Sequence, residues 1–201
     1  MRLAAACLIQ TGYTARSRLE QAEGKGALAI QLRDIAKDGQ IDPEGLGRFE
    51  LDDVAERFFV RTGDVIFRSR GDHNTATALD ERFADPAVAI LPLIVLRPKP
   101  SVVTAEYLAW VINQPDAQRH FDTMARGTSI RMVPKASLDE LVITLPDIET
   151  QRRIVKVDDL AEREQRLAVL IAEKRRRITA LVLDERAKRN QHISTSKKAR
   201  S

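Results

Sequence analysis

The sequence predicts an α+β fold: a compact mixed α/β domain over residues 1–146, a long amphipathic coiled-coil-like helix over 147–188, and a basic tail over 189–201. Three observations predict it. Up to about residue 145, short apolar segments with strand-like alternation are separated by Gly- and Pro-bearing turns. From Glu149 to Lys188 neither Gly nor Pro occurs, and the apolar period becomes helical. The charge balance changes at the same place: residues 1–150 hold 18 basic and 22 acidic side chains, whereas 151–201 hold 15 basic and 7 acidic.

Residues 3–10 (LAAACLIQ) suit a short strand or helix, and the polar turn-like YTARSR (13–18) follows. ALAIQLRDI (27–35) alternates so that Leu28, Ile30 and Leu32 share a face, as in a half-buried strand. RFFVRTGDVIFRSRGD (57–72) reads as strand, Gly-Asp turn, strand and polar loop. AVAILPLIVLRP (87–98) is an apolar strand kinked or bulged at Pro92. Residues 104–125 change period: Tyr107, Leu108, Val111 and Ile112 share a helical face, Thr104 is placed to cap, Pro115 interrupts, and Ala117–Ala125 resume the helix. SLDEL (137–141) has the Ser-x-x-Glu spacing of a capping box before a strand at Val142–Leu145. In LPDIETQRRIV (145–155), Pro146 ends that strand, and Asp147, Glu149 or Thr150 supplies the first turn of the next helix with capping or anionic groups.

That helix carries a heptad-like seam of Val157, Leu160, Leu167, Ile171, Ile178 and Leu181, with gaps at Glu164 and Lys174. About 35 residues of helix span ~50 Å, more than a small domain needs. The seam therefore calls for a partner: another helix of the chain, a second copy, or a different protein. The last residues, KRNQHISTSKKARS, are too polar to bury a core and read as a disordered tail.

Composition narrows the chemistry. One cysteine, Cys7, excludes an intramolecular disulfide and a cysteine-rich zinc site and fits a reducing cytoplasm. Only six residues precede Cys7, too few for a secretory leader. VAILPLIVL (88–96) is too short to span a bilayer. GKG (24–26) lacks the rest of a phosphate loop, and no metalloprotease, hydrolase-elbow, methyltransferase or nuclease motif is present. No cofactor or metal is expected. What remains is three arginine-bearing loops, YTARSR, RSRGDHNTAT (68–77) and ARGTSIR (125–131). Their plain reading is solvated surface. Their sharper reading is contact with nucleic acid, because Arg chelates a guanine edge, Asn an adenine edge, and Ser and Thr bind phosphate. The candidates are Arg16, Arg18, Arg68, Arg70, Asn74, Thr75, Arg126, Thr128, Ser129 and Arg131.

The order RTGDVIFRSRG, AEYLAWVINQ and RGTSIRMVPKASLDELVITLPDIETQRRIV before a long helix resembles one half of a specificity (S) subunit of type I restriction-modification systems. In that family a target recognition domain with a Gly-Asp-aliphatic strand, a Tyr-Leu helix and a Gly-Thr loop leads through a Pro-containing junction into a spacer helix. The resemblance covers nearly all of residues 5–185. It departs in having one domain and one helix where most members have two. PDIETQ also keeps Pro146 and Gln151 but places Asp147 and Thr150 where Pro and Glu are common. The resemblance implies a non-catalytic subunit that reads double-stranded DNA and holds a DNA methyltransferase (modification) subunit, on which S-adenosylmethionine would be bound. A restriction subunit is a further candidate partner. It also implies a homodimer through the long helix, reading a split palindromic site in the cytoplasm. The contrasting expectation is a coiled-coil scaffold that binds a defence-system partner without reading DNA.

Overall fold

The apolar run at 87–98 becomes two strands in two sheets. In the computed structural model, β7 (Ala87–Ala89) and β8 (Leu93–Pro98) flank a bend containing a cis Leu91–Pro92 peptide. The structure describes residues 1–198 except 16–18, 23, 25, 37, 72–73 and 126–130, with backbone alone for 189–198. The chain divides into two units, Met1–Val155 and Lys156–Ser201.

The first unit opens with one helical turn, α1 (Leu3–Ala6), which runs directly into β1 (Cys7–Thr11). One sheet has the order β1-β8-β5-β6, with β5 at Val65–Arg68 and β6 at Ala76–Ala78, all neighbours antiparallel. The other has the order β3-β2-β7-β4, with β2 at Ala27–Ile30, β3 at Arg48–Phe49 and β4 at Phe59–Val60; its β2–β7 pair is parallel. Both strands flanking the Gly63–Asp64 turn form, but they do not pair with each other. β4 joins β7, and β5 joins β8 and β6.

Period-two alternation sorts the side chains of the central strands. Val65 and Phe67 of β5, with Ile94 and Leu96 of β8, enter the core beneath the helices. Ile66, Leu93 and Val95 enter a second core shared with Ile30, Ala87 and Ala89 of the other sheet. Both faces of β5 and β8 are buried, which is why their sequence is continuously apolar. Leu28, Ile30 and Leu32 meet this second core on one side, as their spacing predicts, while Ala29 turns to a third cluster with Tyr13, Phe49, Val88 and Ile90.

α2 (Ala105–Asn113) and α3 (Pro115–Met124) match the expected helices. Thr104 Oγ1 accepts a hydrogen bond from the Tyr107 N–H at 3.2 Å, and Pro115 occupies the first turn of α3. Thr104→Ala is expected to cost about 1 kcal/mol, read from the urea midpoint of unfolding. Two expectations are corrected. α4 is Lys135–Glu140, so Pro134 holds the N-cap and Ser137 lies inside the helix, where no capping box forms. Its backbone carbonyl instead meets His120 Nε2 at 2.9 Å. Val142–Leu145 is extended but forms no strand of its own. It makes a single bridge, Arg2 to Val142, because only the first three residues lie alongside it.

α5 runs from Ile148 to Lys198. Its first two turns belong to the Met1–Val155 unit, so the compact region ends later than residue 146. It also continues past residue 188, through backbone expected as an unstructured tail. No Gly or Pro stops it there.

Candidate nucleic-acid interface

β5 extends past Arg68 into Ser69–Gly71, and this extension meets Arg131–Val133. Gly71 N–H donates to Arg131 O at 3.1 Å, Val133 N–H to Ser69 O at 2.8 Å, and Arg70 bridges Met132 in antiparallel register. Two arginine-bearing segments some sixty residues apart in sequence are thereby joined. Arg70 is exposed, and among the described residues its guanidinium has neither an ion pair nor a hydrogen bond. Its chemistry suits a phosphate or a base edge. Arg131 is also exposed, but it pairs with Asp122 at 3.2 Å and donates to the Asp122 carbonyl at 2.6 Å.

Three other candidates face inward. The Arg68 guanidinium donates to the carbonyls of Ile35 at 3.3 Å and Arg70 at 3.4 Å, tying the loop to the other sheet's connections. Asn74 is buried, and its amide donates to Arg68 O at 3.0 Å. Thr75 is half-buried, with Oγ1 enclosed beside Gly39. Arg68, Asn74 and Thr75 shape the loop, while Arg70 projects from it. Arg16, Arg18, Arg126, Thr128 and Ser129 lie outside the described residues.

Sequence reasoning missed two residues that hold this region. The Asn113 side chain at the end of α2 accepts from Ala76 N–H and donates to Ala76 O, both at 2.8 Å, as a neighbouring strand would. Gln118 of α3 donates to the carbonyls of Asn74 at 3.0 Å and Ile112 at 2.8 Å. Each is a neutral amide at a helix position where solvent exposure is the ordinary reading.

In the Lys156–Ser201 unit the seam lies open. Val157, Leu160, Leu167, Ile171, Ile178 and Leu181 are 49–67% exposed, and Val169 and Leu183 are exposed on other faces.

No family model and no curated protein matches the sequence. Solved structures do. The HsdS subunit from Thermoanaerobacter tengcongensis is 22% identical with a TM-score of 0.59, over 86% of this chain and 44% of that one. A chain of the type I restriction-modification system solved for its complex assembly and conformational transition is 23% identical with a TM-score of 0.59, over 85% and 39%. The type I restriction-modification S subunit from M. genitalium is 14% identical with a TM-score of 0.55, over 88% and 42%. The fold is that of a type I S-subunit target recognition domain.

The chain spans less than half the length of these solved S subunits. Within the S-subunit fold, the junction before α5 is set by one buried amide. Gln151 is fully buried; its Nε2 donates to Pro146 O at 2.8 Å and Val102 O at 3.0 Å, and its Oε1 accepts from Thr104 N–H at 3.0 Å. Asp147 caps the helix, accepting from Thr150 N–H at 2.9 Å and Thr150 Oγ1 at 2.7 Å. These bonds, the side-chain one foremost, hold its carboxyl below the usual carboxylate range. Among the described residues no His, Cys, Asp or Glu cluster suits a metal, and no helix is long and apolar enough to cross a membrane.

Proposed function

We propose that this chain is the DNA sequence-recognition subunit of a type I-like restriction-modification or DNA methyltransferase complex. The observation that carries the reading is the joining of the 68–71 and 131–133 segments, with Arg70 exposed and without an ion pair among the described residues, on an S-subunit fold. In this role the chain does no chemistry. It binds double-stranded DNA, and a partner methyltransferase subunit, carrying S-adenosylmethionine, modifies it. Arg70 is the leading base or phosphate contact, with Arg131 able to exchange Asp122 for DNA. Arg16, Arg18, Arg126, Thr128 and Ser129 complete the proposed surface; Arg68, Asn74 and Thr75 act by fixing loop shape. Two copies pair through the exposed seam of α5, which presents two recognition domains to a split palindromic site. The exposed Val169 and Leu183 are left for the methyltransferase.

The test is selection from a random double-stranded DNA pool, with and without a methyltransferase subunit. Enrichment of a split motif is expected. Arg70→Ala should weaken binding by ~1–3 kcal/mol and, where Arg70 reads a base, relax preference at one position of each half-site. No enrichment under either condition, with retained binding to the methyltransferase, would leave a scaffold that does not read DNA.

A further inference from the structure

The bridge between Arg70 and Met132 is of the kind that brings two side chains closest. Its hydrogen bonds are made by the residues on either side, Gly71 N–H to Arg131 O and Val133 N–H to Ser69 O, so Arg70 and Met132 oppose each other as a non-hydrogen-bonded pair. In such a pair the Cα atoms stand ~4.5 Å apart, and both side chains leave the same face of the ribbon. The other face is fixed to the protein. Ser69 is 1% exposed and its hydroxyl donates to Pro92 O, while Val133 is fully buried in the core beneath the helices. Arg70, exposed, and Met132, 42% exposed, therefore project together from a short two-stranded ribbon whose back is anchored. A solitary exposed methionine is ordinary. One placed directly opposite an exposed arginine is a defined pair of contacts, one cationic and one apolar.

We propose that Arg70 and Met132 act as one reading unit for two adjacent base pairs in the major groove, with Arg70 on a guanine and Met132 on the 5-methyl group of a thymine. The inference rests on the reading of this chain as a DNA-recognition subunit, and it adds which bases this pair of side chains selects. The major groove is wide enough to admit a two-stranded ribbon. Successive base pairs are ~3.4 Å apart, close to the ~4.5 Å between the opposed Cα atoms, so side chains that leave the ribbon side by side meet neighbouring bases. A guanidinium donates to both O6 and N7 of guanine. A thioether has no charge and no donor, so it offers a phosphate nothing. What it can cover in the groove is the thymine methyl, the apolar group that a base edge presents there. The buried Ser69 and Val133 hold the ribbon from behind, which fixes the direction in which both readers point.

The full chain, with the methyltransferase subunit where binding requires it, is first used to select duplexes from a random DNA pool. Absence of any selected motif overturns the DNA-recognition reading and this proposal with it. On the selected site each thymine is replaced in turn by uracil, which lacks only the methyl, and each guanine by 7-deazaguanine, which lacks the N7 acceptor. One thymine of each recognised half-site is expected to lose about fourfold in affinity as uracil, the worth of one buried methyl group. A guanine in the adjacent base pair is expected to lose about tenfold as 7-deazaguanine, the worth of one charge-assisted hydrogen bond. These base changes need no protein variant. Met132→Ala should then abolish the uracil effect and leave the 7-deazaguanine effect, and Arg70→Ala should do the reverse. Both side chains are exposed, so both variants should keep the urea midpoint of the parent. The reading unit is refuted, with sequence-specific binding intact, by any of three results: no thymine responds to uracil, the response is unchanged in Met132→Ala, or the bases that depend on Arg70 and Met132 are not adjacent.

Discussion

Gln151→Leu is expected to destabilise the Met1–Val155 unit by about 3–5 kcal/mol. Leucine fills similar volume, so packing is largely retained. What is lost is three hydrogen bonds at once: the Thr104 N–H loses its acceptor, and the carbonyls of Val102 and Pro146 lose their donor. Each buried group left without a partner costs roughly 1–3 kcal/mol. The urea midpoint should fall with little change in slope. Gln151→Glu separates hydrogen bonding from shape. At neutral pH its carboxylate keeps an acceptor, loses both donors and faces two carbonyls. Burial and those carbonyls raise its folded pKa above the unfolded value, so its stability should recover as the pH is lowered. A Leu variant as stable as the parent would show that the junction is held by apolar contact alone.

Gly12→Ala is the second large effect, at about 3 kcal/mol. Gly12 lies where the chain leaving β1 passes the bend between β7 and β8. A Cβ there would stand 2.7 Å from Ala89 O, 2.9 Å from Ile90 C and 3.0 Å from Leu91 N, all backbone atoms. They are fixed by bonds on both sides: Gly12 N–H to Leu93 O at 2.8 Å, Tyr13 N–H to Ala89 O at 2.7 Å, and Leu91 N–H to Tyr13 O at 2.9 Å. Relief of the clash requires one of these to open. Gly63→Ala is the control, since Gly63 has φ +88° and no atom within 4 Å of its missing Cβ. Its cost of ~1–2 kcal/mol would come from conformation alone. Thermal unfolding that ranks the two variants in the opposite order would refute the close-approach argument.

Much of this architecture is legible in the sequence because period and punctuation are local. The helices at 105–124 carry their cap and their proline with them. The alternation at 28–32 survives because those three side chains share one core. The errors come from long-range choices. Nothing within RFFVRTGDVIF says that β4 and β5 will pair elsewhere. That follows from Pro92, thirty residues on, where the chain passes from one sheet to the other. Ser137 has the spacing of a cap, but Pro134 starts the helix one turn earlier. The candidate interface was legible only in part for a related reason. Arg, Asn and Thr in RSRGDHNTAT have the chemistry to meet DNA, and chemistry does not state direction. The backbone turns Asn74 and Thr75 inward and leaves Arg70 outside. Asn113 and Gln118, which grip that backbone, carry no local signal at all.

The arginines bonded to carbonyls bear on how a DNA reader of this kind would find its site. Arg68 is tied to Ile35 and Arg70, and Arg97 donates to Arg57 O at 2.8 Å and Phe59 O at 2.6 Å while pairing with Asp64 at 3.4 Å. With Arg131 held by Asp122, three positive charges of the acidic Met1–Val155 unit are occupied within the molecule. On the proposed reading these three would add little to the displacement of counterions from the phosphate backbone, and non-specific sliding would gain nothing from them. Residence on the duplex would then depend on shape and hydrogen bonding at the correct sequence, and the long-range capture of DNA would fall to whichever subunit shares the complex.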